Sequence, residues 1–261
     1  TPMLLFGFLA YVAMQKFQQS PCIRTAVLYS ITMTIALLWH LTAIHLFIAL
    51  GIFALYTILQ SSQKSKLLGY TVIANALPAC TLALLYYMDI RHMRIGGGTG
   101  MSGEEAPILL LSSLFGFYEF TKVSMFIAYG LLIVLAIHIE RLLRTNMKEF
   151  VFFISILLIA PVLWLVISVP PLIYIRYFLI CLIFGLLFLA QEISRTKHVV
   201  IVMALTLYCL GNLYGMKEYR KDRHGTYTET FAYIHSQSAS RTSVIGSNND
   251  FLTPLFLYQY Q

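Results

Sequence analysis

The chain has 261 residues, 59% of them hydrophobic and 11% charged, with a mean hydropathy of +0.76. That composition excludes a water-soluble globular domain, because apolar runs of 18 or more residues mark membrane helices. The net charge of +7 is divided among connecting loops, which points to membrane orientation and away from nucleic acid.

Eight apolar stretches follow one another, at 3–19, 23–39, 41–60, 67–88, 121–139, 150–169, 171–190 and 198–214. Each approaches the roughly 20 residues that a spanning helix needs. Long Leu, Ile and Phe runs without strand alternation predict helices and not a barrel, since backbone in hydrocarbon must satisfy its own hydrogen bonds. The expected fold class is an all-α polytopic membrane protein. About eight transmembrane helices make up 1–214, and a truncated small α/β extracytoplasmic tail makes up 215–261. The first apolar segment starts at Thr1 without a basic region or a small-residue cleavage site, so it does not read as a signal peptide. With Gln261 following an apolar-aromatic run, the sequence reads as a piece of a longer protein that lacks at least its N-terminal part.

Alternate loops differ in charge. Lys16 and Arg24, Lys64 and Lys66, Arg141, Arg144 and Lys148, and Arg195 and Lys197 occupy four short loops of one parity. The opposite short turns, near His40 and near Pro170 and Pro171, hold only Arg176. Short basic loops stay cytoplasmic, so the long loop 89–120 and the tail are expected outside. In the tail, 217–223 is a charged juxtamembrane stretch, 226–236 reads as a short helix, 242–246 as a strand and 247–250 as a turn. Cys22, Cys80, Cys181 and Cys209 lie in or beside apolar segments, with no disulfide framework and no zinc spacing.

Candidate functional residues gather at the outer face. His40 and His45 flank a tight turn between two spans, where they could hold a substrate phosphate or share a proton; interfacial histidines bonded to backbone are the plainer alternative. Their i, i+5 spacing is poor for a metal on one helix face. Asp89, Arg91 and Arg94 cap the preceding span and either pair with one another or form a positive rim. The loop matches GxGxxG at 98–103, but no strand precedes it, so a dinucleotide site is rejected. Glu104 and Glu105 read as acid, base or metal ligand, or as a solvated loop face. Residues 109–120 are apolar but short, suited to an interfacial or re-entrant segment ending at Glu119 and Lys122.

Arg176 is the sharpest candidate. An Arg in a span costs about 2.5–3.5 kcal/mol at the helix centre, so it usually has a task. Its guanidinium fork suits a phosphate. The competing account is a snorkelling boundary Arg beside Tyr177 in an aromatic belt.

Three stretches resemble the bacterial polytopic glycosyltransferases of family 39 type, with GT-C architecture, including protein mannosyltransferase-like and aminoarabinose transferase-like enzymes. One is the first span and basic loop, leading to Leu38-Trp39-His40-Leu41-Thr42, similar to the family's Thr-His-Tyr stretch. Another is Ile175-Arg176-Tyr177-Phe178-Leu179, similar to its Pro-Arg-Tyr-Leu-Leu, with Ile175 in place of the proline. The last is Tyr219-Arg220, Phe231-Ala232-Tyr233-Ile234, Ser243-Val244-Ile245-Gly246 and Phe251, similar to its outer segment. The resemblance implies transfer of a sugar from a polyprenyl-phosphate donor to an extracytoplasmic lipid, glycan or protein acceptor, at a bacterial inner (plasma) membrane. It implies a catalytic acidic base in an outer loop upstream of Thr1, which leaves the catalytic residue unknown here. Arg176, Tyr177, His40 and His45 are expected to bind the lipid phosphate. A divalent metal is compatible with the chemistry, but no ligand set requires one. The rivals are a transporter or flippase of lipid-linked glycans, for which Pro161 and Gly185 interrupt spans without matching halves, an O-antigen ligase or polymerase type, marked faintly by Arg91-His92, and a non-catalytic scaffold.

Overall fold

The computed structural model describes residues 2–92, 105–117, 121–168, 175–195 and 198–223. The side chains of His92, Ile167, Ser168, Ile175, Arg176, Glu192, 198–200 and 218–223 lie outside that description. So do Arg94, the glycine-rich stretch 98–103, Glu104, Glu119, Pro170 and Pro171, and the expected helix, strand and turn of the tail.

The chain is all-α among the described residues and crosses a membrane several times. Its helices are α1 (Pro2–Gln19), α2 (Ile23–Trp39), α3 (Ala43–Gln60), α4 (Lys64–Met88), α5 (Ala106–Ser113), α6 (Lys122–Thr145), α7 (Met147–Ile154), α8 (Ala160–Ser168), α9 (Leu179–Ile193) and α10 (His198–Arg223). Four helical segments are long and apolar enough to span: α3, α4, α6 and the continuous stretch Met147–Val166. That stretch joins α7 to α8 through a π-turn at Ser155–Ile159. Short 3-10 turns occupy Ile90–His92 and Ile175–Phe178.

The large apolar side chains are sorted by their surroundings. Phe17, Met33, Leu37, Leu46, Leu50, Phe152, Ile156 and Phe188 fill one core, while Phe126, Val166, Met203 and Leu213 face outward. An outward apolar surface of this extent suits acyl chains and not water. Small residues let helices approach: Ala26 and Ala36 on α2 and Ala10 and Ala13 on α1 are all buried. Between α2 and α4 the buried Tyr29 hydroxyl donates to Asn75 Oδ1 at 3.0 Å, and the Asn75 amide donates to the Thr71 carbonyl at 2.8 Å. Neither polar group is left bare in hydrocarbon.

Helix ends depart from the sequence reading. Arg141 and Arg144, assigned to a loop, extend α6 to Thr145, and α7 begins two residues later at Met147. Arg and Glu are good helix formers, and Arg144 reaches back to Glu140 at 2.5 Å with i, i+4 spacing. Asn146 then accepts from the Glu149 N–H at 3.3 Å, capping α7. The charged stretch 217–223 likewise continues α10. The apolar 109–120 segment is not one element: α5 ends at Ser113 and a turn follows, closed by the Ser112 hydroxyl on the Phe117 carbonyl at 2.9 Å.

Contacts divide the chain into Thr1–Tyr214 and Gly215–Gln261. In the second, only the end of α10 is described. Within the first, the turn after α5 meets α10 backbone to backbone. Gly116 has φ +82°, and a Cβ there would lie 2.5 Å from the Asn212 nitrogen. A Cβ on Gly211 would collide with the Phe115 carbonyl. Phe117 stacks on Tyr214 at 6.1 Å beside this crossing. Gly116→Ala adds a positive-φ penalty to the clash, so it is expected to destabilise by about 2–4 kcal/mol, and Gly211→Ala by about 1–3 kcal/mol. Thermal melting in detergent tests this, with Gly69→Ala, which meets nothing within 4 Å, as the neutral comparison.

Candidate functional site

The 3-10 turn Ile175–Phe178 carries the stretch singled out in the sequence, and α3 and α8 hold it in place. His45, in the first turn of α3, is 1% exposed. Its Nε2 lies 2.9 Å from the Tyr177 carbonyl. A carbonyl only accepts, so Nε2 carries the proton in this bond. The imidazole stacks on Phe178 at 5.7 Å and meets Trp164 of α8 edge-on at 6.0 Å. Trp164 also packs on Tyr177 at 5.1 Å and on Phe178 at 5.8 Å. Four rings from three separate parts of the chain therefore enclose one backbone carbonyl.

This geometry brings two of the expected ligands together. His45 and Tyr177 come together as the sequence reading grouped them, but through a buried structural bond. His45 is enclosed and holds the turn by this bond. Burial favours this outcome because an unpaired carbonyl in hydrocarbon costs several kcal/mol, and one imidazole N–H removes that cost. Arg176 is part of the turn by its backbone, and its guanidinium lies outside the described residues.

His40 belongs to a different place. It is exposed, it caps α2, and its Nδ1 lies 3.2 Å from the Thr42 N–H and 3.0 Å from the Thr42 hydroxyl. It shares a cavity of about 530 Å³ with Trp39, Leu85, Asp89 and Ile90. Arg91, next to this cavity in sequence, lies over the Tyr87 ring at 5.6 Å. Glu105 stands at the N-cap of α5. Among the described residues no group of three His, Cys, Asp or Glu could hold a metal ion.

An apolar cavity of about 240 Å³ adjoins the turn. Phe178, Cys181 and Gly185 line it from one side, Leu157, Pro161 and Leu165 from another, and Leu110 and Leu114 close it. Phe178 belongs both to this cavity and to the ring cluster around His45. Sequence reasoning missed Trp164 and Phe178, which look like ordinary span residues. The one available signal is that Trp164 is one of only two tryptophans in the chain.

His45→Ala is expected to lose about 2–5 kcal/mol of stability, from the vacated volume and the orphaned Tyr177 carbonyl. His45→Phe keeps the ring and is expected to lose about 1–2 kcal/mol. Melting temperatures of both variants in one detergent check the order; an Ala variant as stable as the parent rules out the positioning role.

Comparison of the chain with protein-family models, with characterised proteins and with solved structures finds no match.

Proposed function

We propose that the chain is part of a membrane glycosyltransferase that moves a sugar from a polyprenyl-phosphate donor to an extracytoplasmic lipid, glycan or protein. The observation that carries this reading is the apolar cavity beside the turn whose backbone includes Arg176. The 3-10 turn bearing Arg176 is fixed by His45, and Phe178, two residues on, lines a space of about 240 Å³ with no charged residue on its walls. An isoprenoid phosphate requires an apolar space for its tail and a cation for its phosphate, and Arg176 is the residue proposed to supply the cation. The tail stays in apolar surroundings and the phosphate meets a fixed fork of donors. The leaving group in such a transfer is that phosphate, and charge developing on it is stabilised by a donor already in place. The resemblance of 175–179 to the family 39 type supports the same assignment.

The finer arrangement belongs to this proposal. Eight apolar helical segments cross a bacterial inner membrane, the basic loops are cytoplasmic, and the turn at 175–178 and the tail are outside. Tyr177 contributes its backbone to the His45 bond, and His40 contributes from a separate cavity that also holds Asp89.

A flippase of lipid-linked glycans is the second reading. It is favoured by the span broken by a π-turn and Pro161 beside the same cavity, since transporters use interrupted helices to line substrate paths.

In the full-length protein, Arg176→Ala is expected to cut sugar transfer from a polyprenyl-phosphate donor by about 10²–10³-fold, with Arg176→Lys between the two. Parental turnover in the Ala variant would remove Arg176 from the reaction. Lipid-linked glycan translocation without any sugar transfer would replace the transferase by the flippase.

Orientation is tested at Cys22, an exposed thiol in the α1–α2 connection. Hydrogen bonding to Thr25 holds its pKa below the ordinary cysteine value. The thiolate therefore forms at a lower pH, and labelling should plateau earlier than for a free cysteine. In a variant with the other three cysteines replaced by serine, a membrane-impermeant maleimide is expected to label inside-out vesicles and spare right-side-out ones. The opposite pattern inverts the proposed topology.

A further inference from the structure

The sequence reading placed the polar groups of the membrane region at the outer surface. The structure places a second set at the other end of the bundle. A cavity of about 250 Å³ is lined there by Gln18, Thr57, Gln60, Ser61, Lys66 and Lys148. A neighbouring cavity of about 370 Å³ shares Gln18 and Lys148 and adds Gln15, Asn146 and Glu149 over an aromatic floor of Tyr11, Phe53 and Phe152. These residues come from α1, from the stretch that runs from α3 into the start of α4, and from Asn146 and the α7 that follows it, so three separate stretches of chain supply one polar space. The Gln191 amide, reaching Glu149 at 3.4 Å from the end of α9, ties a fourth to it.

The two compartments differ in charge. Lys66 and Lys148 flank the first, and neither forms an ion pair among the described residues. Gln18 stands on the shared wall, and its Nε2 is shielded from solvent with no hydrogen-bond partner among the described residues. A shielded donor without an acceptor is costly, and a bound acceptor oxygen removes that cost. The second compartment carries the Glu149 carboxylate, whose charge repels an anion and whose oxygens accept from hydroxyls. Gln15 there donates to the Tyr11 hydroxyl at 2.6 Å, which leaves its carbonyl oxygen as an acceptor.

We infer that this end of the protein binds a hydroxylated phosphate compound. The phosphate lies in the first compartment, near Lys66, Lys148 and the Gln18 amide, and the hydroxyls lie in the second, toward Glu149 and Gln15. Basic pockets between membrane helices at the cytoplasmic boundary suit anionic lipid headgroups. A glycerol-type phospholipid headgroup and a free polyol phosphate present the same groups. This site is separate from the turn at 175–178 and does not depend on the activity proposed there.

The test is native mass spectrometry of the full chain released from micelles containing equal phosphatidylglycerol and phosphatidylcholine. The parent is expected to retain phosphatidylglycerol preferentially. Lys66→Gln and Lys148→Gln are each expected to lower that retention about fivefold, and Gln18→Leu to lower it as well. Lys16→Gln and Lys64→Gln, on the same end but outside both cavities, are expected to leave it unchanged. Both cavity lysines are exposed, and an unchanged circular dichroism spectrum shows that the variants fold. Displacement of phosphatidylglycerol by millimolar glycerol 1-phosphate identifies the soluble source; no displacement identifies the lipid. Equal retention of the two lipids, unaltered retention in both lysine variants, or equal losses in the Lys16 and Lys64 controls would overturn the proposal.

Discussion

Hydrocarbon offers no partner to a peptide N–H or C=O, and that constraint organises the described chain. Helices meet it by bonding within themselves. Several hydroxyls along them follow the same rule: Thr32 donates to the Leu28 carbonyl at 2.8 Å, Thr57 to Phe53 at 2.9 Å and Thr81 to Leu77 at 2.9 Å, while those of Thr34 and Ser155 are buried with no partner among the described residues. Where the backbone leaves the α-helix, another group has to supply the missing partner. The Tyr177 carbonyl, on a 3-10 turn, is taken by His45. The turn after α5 is closed by Ser112 and pressed against a glycine of α10. Departures from regular helix therefore mark the places where side chains from distant segments had to converge, and the functional candidates lie at such places.

Much of this architecture was legible in the sequence because its cause is local. A span must be apolar for about 20 consecutive residues, so α3, α4, α6 and the stretch beginning at Met147 announce themselves. Helix ends were less legible. Charge in the sequence suggests a loop at Arg141 and Arg144, whereas long charged side chains extend a helix past the bilayer at little cost. Pairings between remote segments were not legible at all. His45 and Tyr177 are 132 residues apart, and nothing in either local sequence names the other. Gln18, Ser61, Lys66 and Lys148 are each unremarkable in their own stretch of sequence, and only folding brings them around one space.

The two ends of the bundle offer different chemistry. Around the turn at 175–178 the surroundings are rings and aliphatic side chains, and one imidazole N–H of His45 is spent on the Tyr177 carbonyl. Around Lys66 and Lys148 the walls are amides, hydroxyls and charges with spare hydrogen-bonding capacity. The first environment favours a ligand that is mostly hydrocarbon with one charged end. The second favours a ligand that is polar throughout. A protein handling amphiphiles across a membrane boundary has use for both, and the helices keep them apart.

The apolar cavity itself follows from two residues that look like defects in the sequence. Pro161 has no N–H, so the helix bond to Leu157 cannot form, and its ring would press on that carbonyl. The π-turn at Ser155–Ile159 widens the helix just before it, and the Ala160 N–H bonds to Ser155, five residues back. Widening relieves the clash and displaces Leu157 outward from the helix axis. Across the gap stands Gly185 on α9, where an added Cβ would lie 3.5 Å from Leu157 Cδ2 and 3.9 Å from Leu114 Cδ2. Leu157, Pro161 and Gly185 thus face one another around the same space. A regular helix at 155–161 would close that space from one side, and a larger residue at 185 would fill it from the other. Proline and glycine, which weaken a helix in isolation, here keep a cavity open beside the turn that carries Arg176.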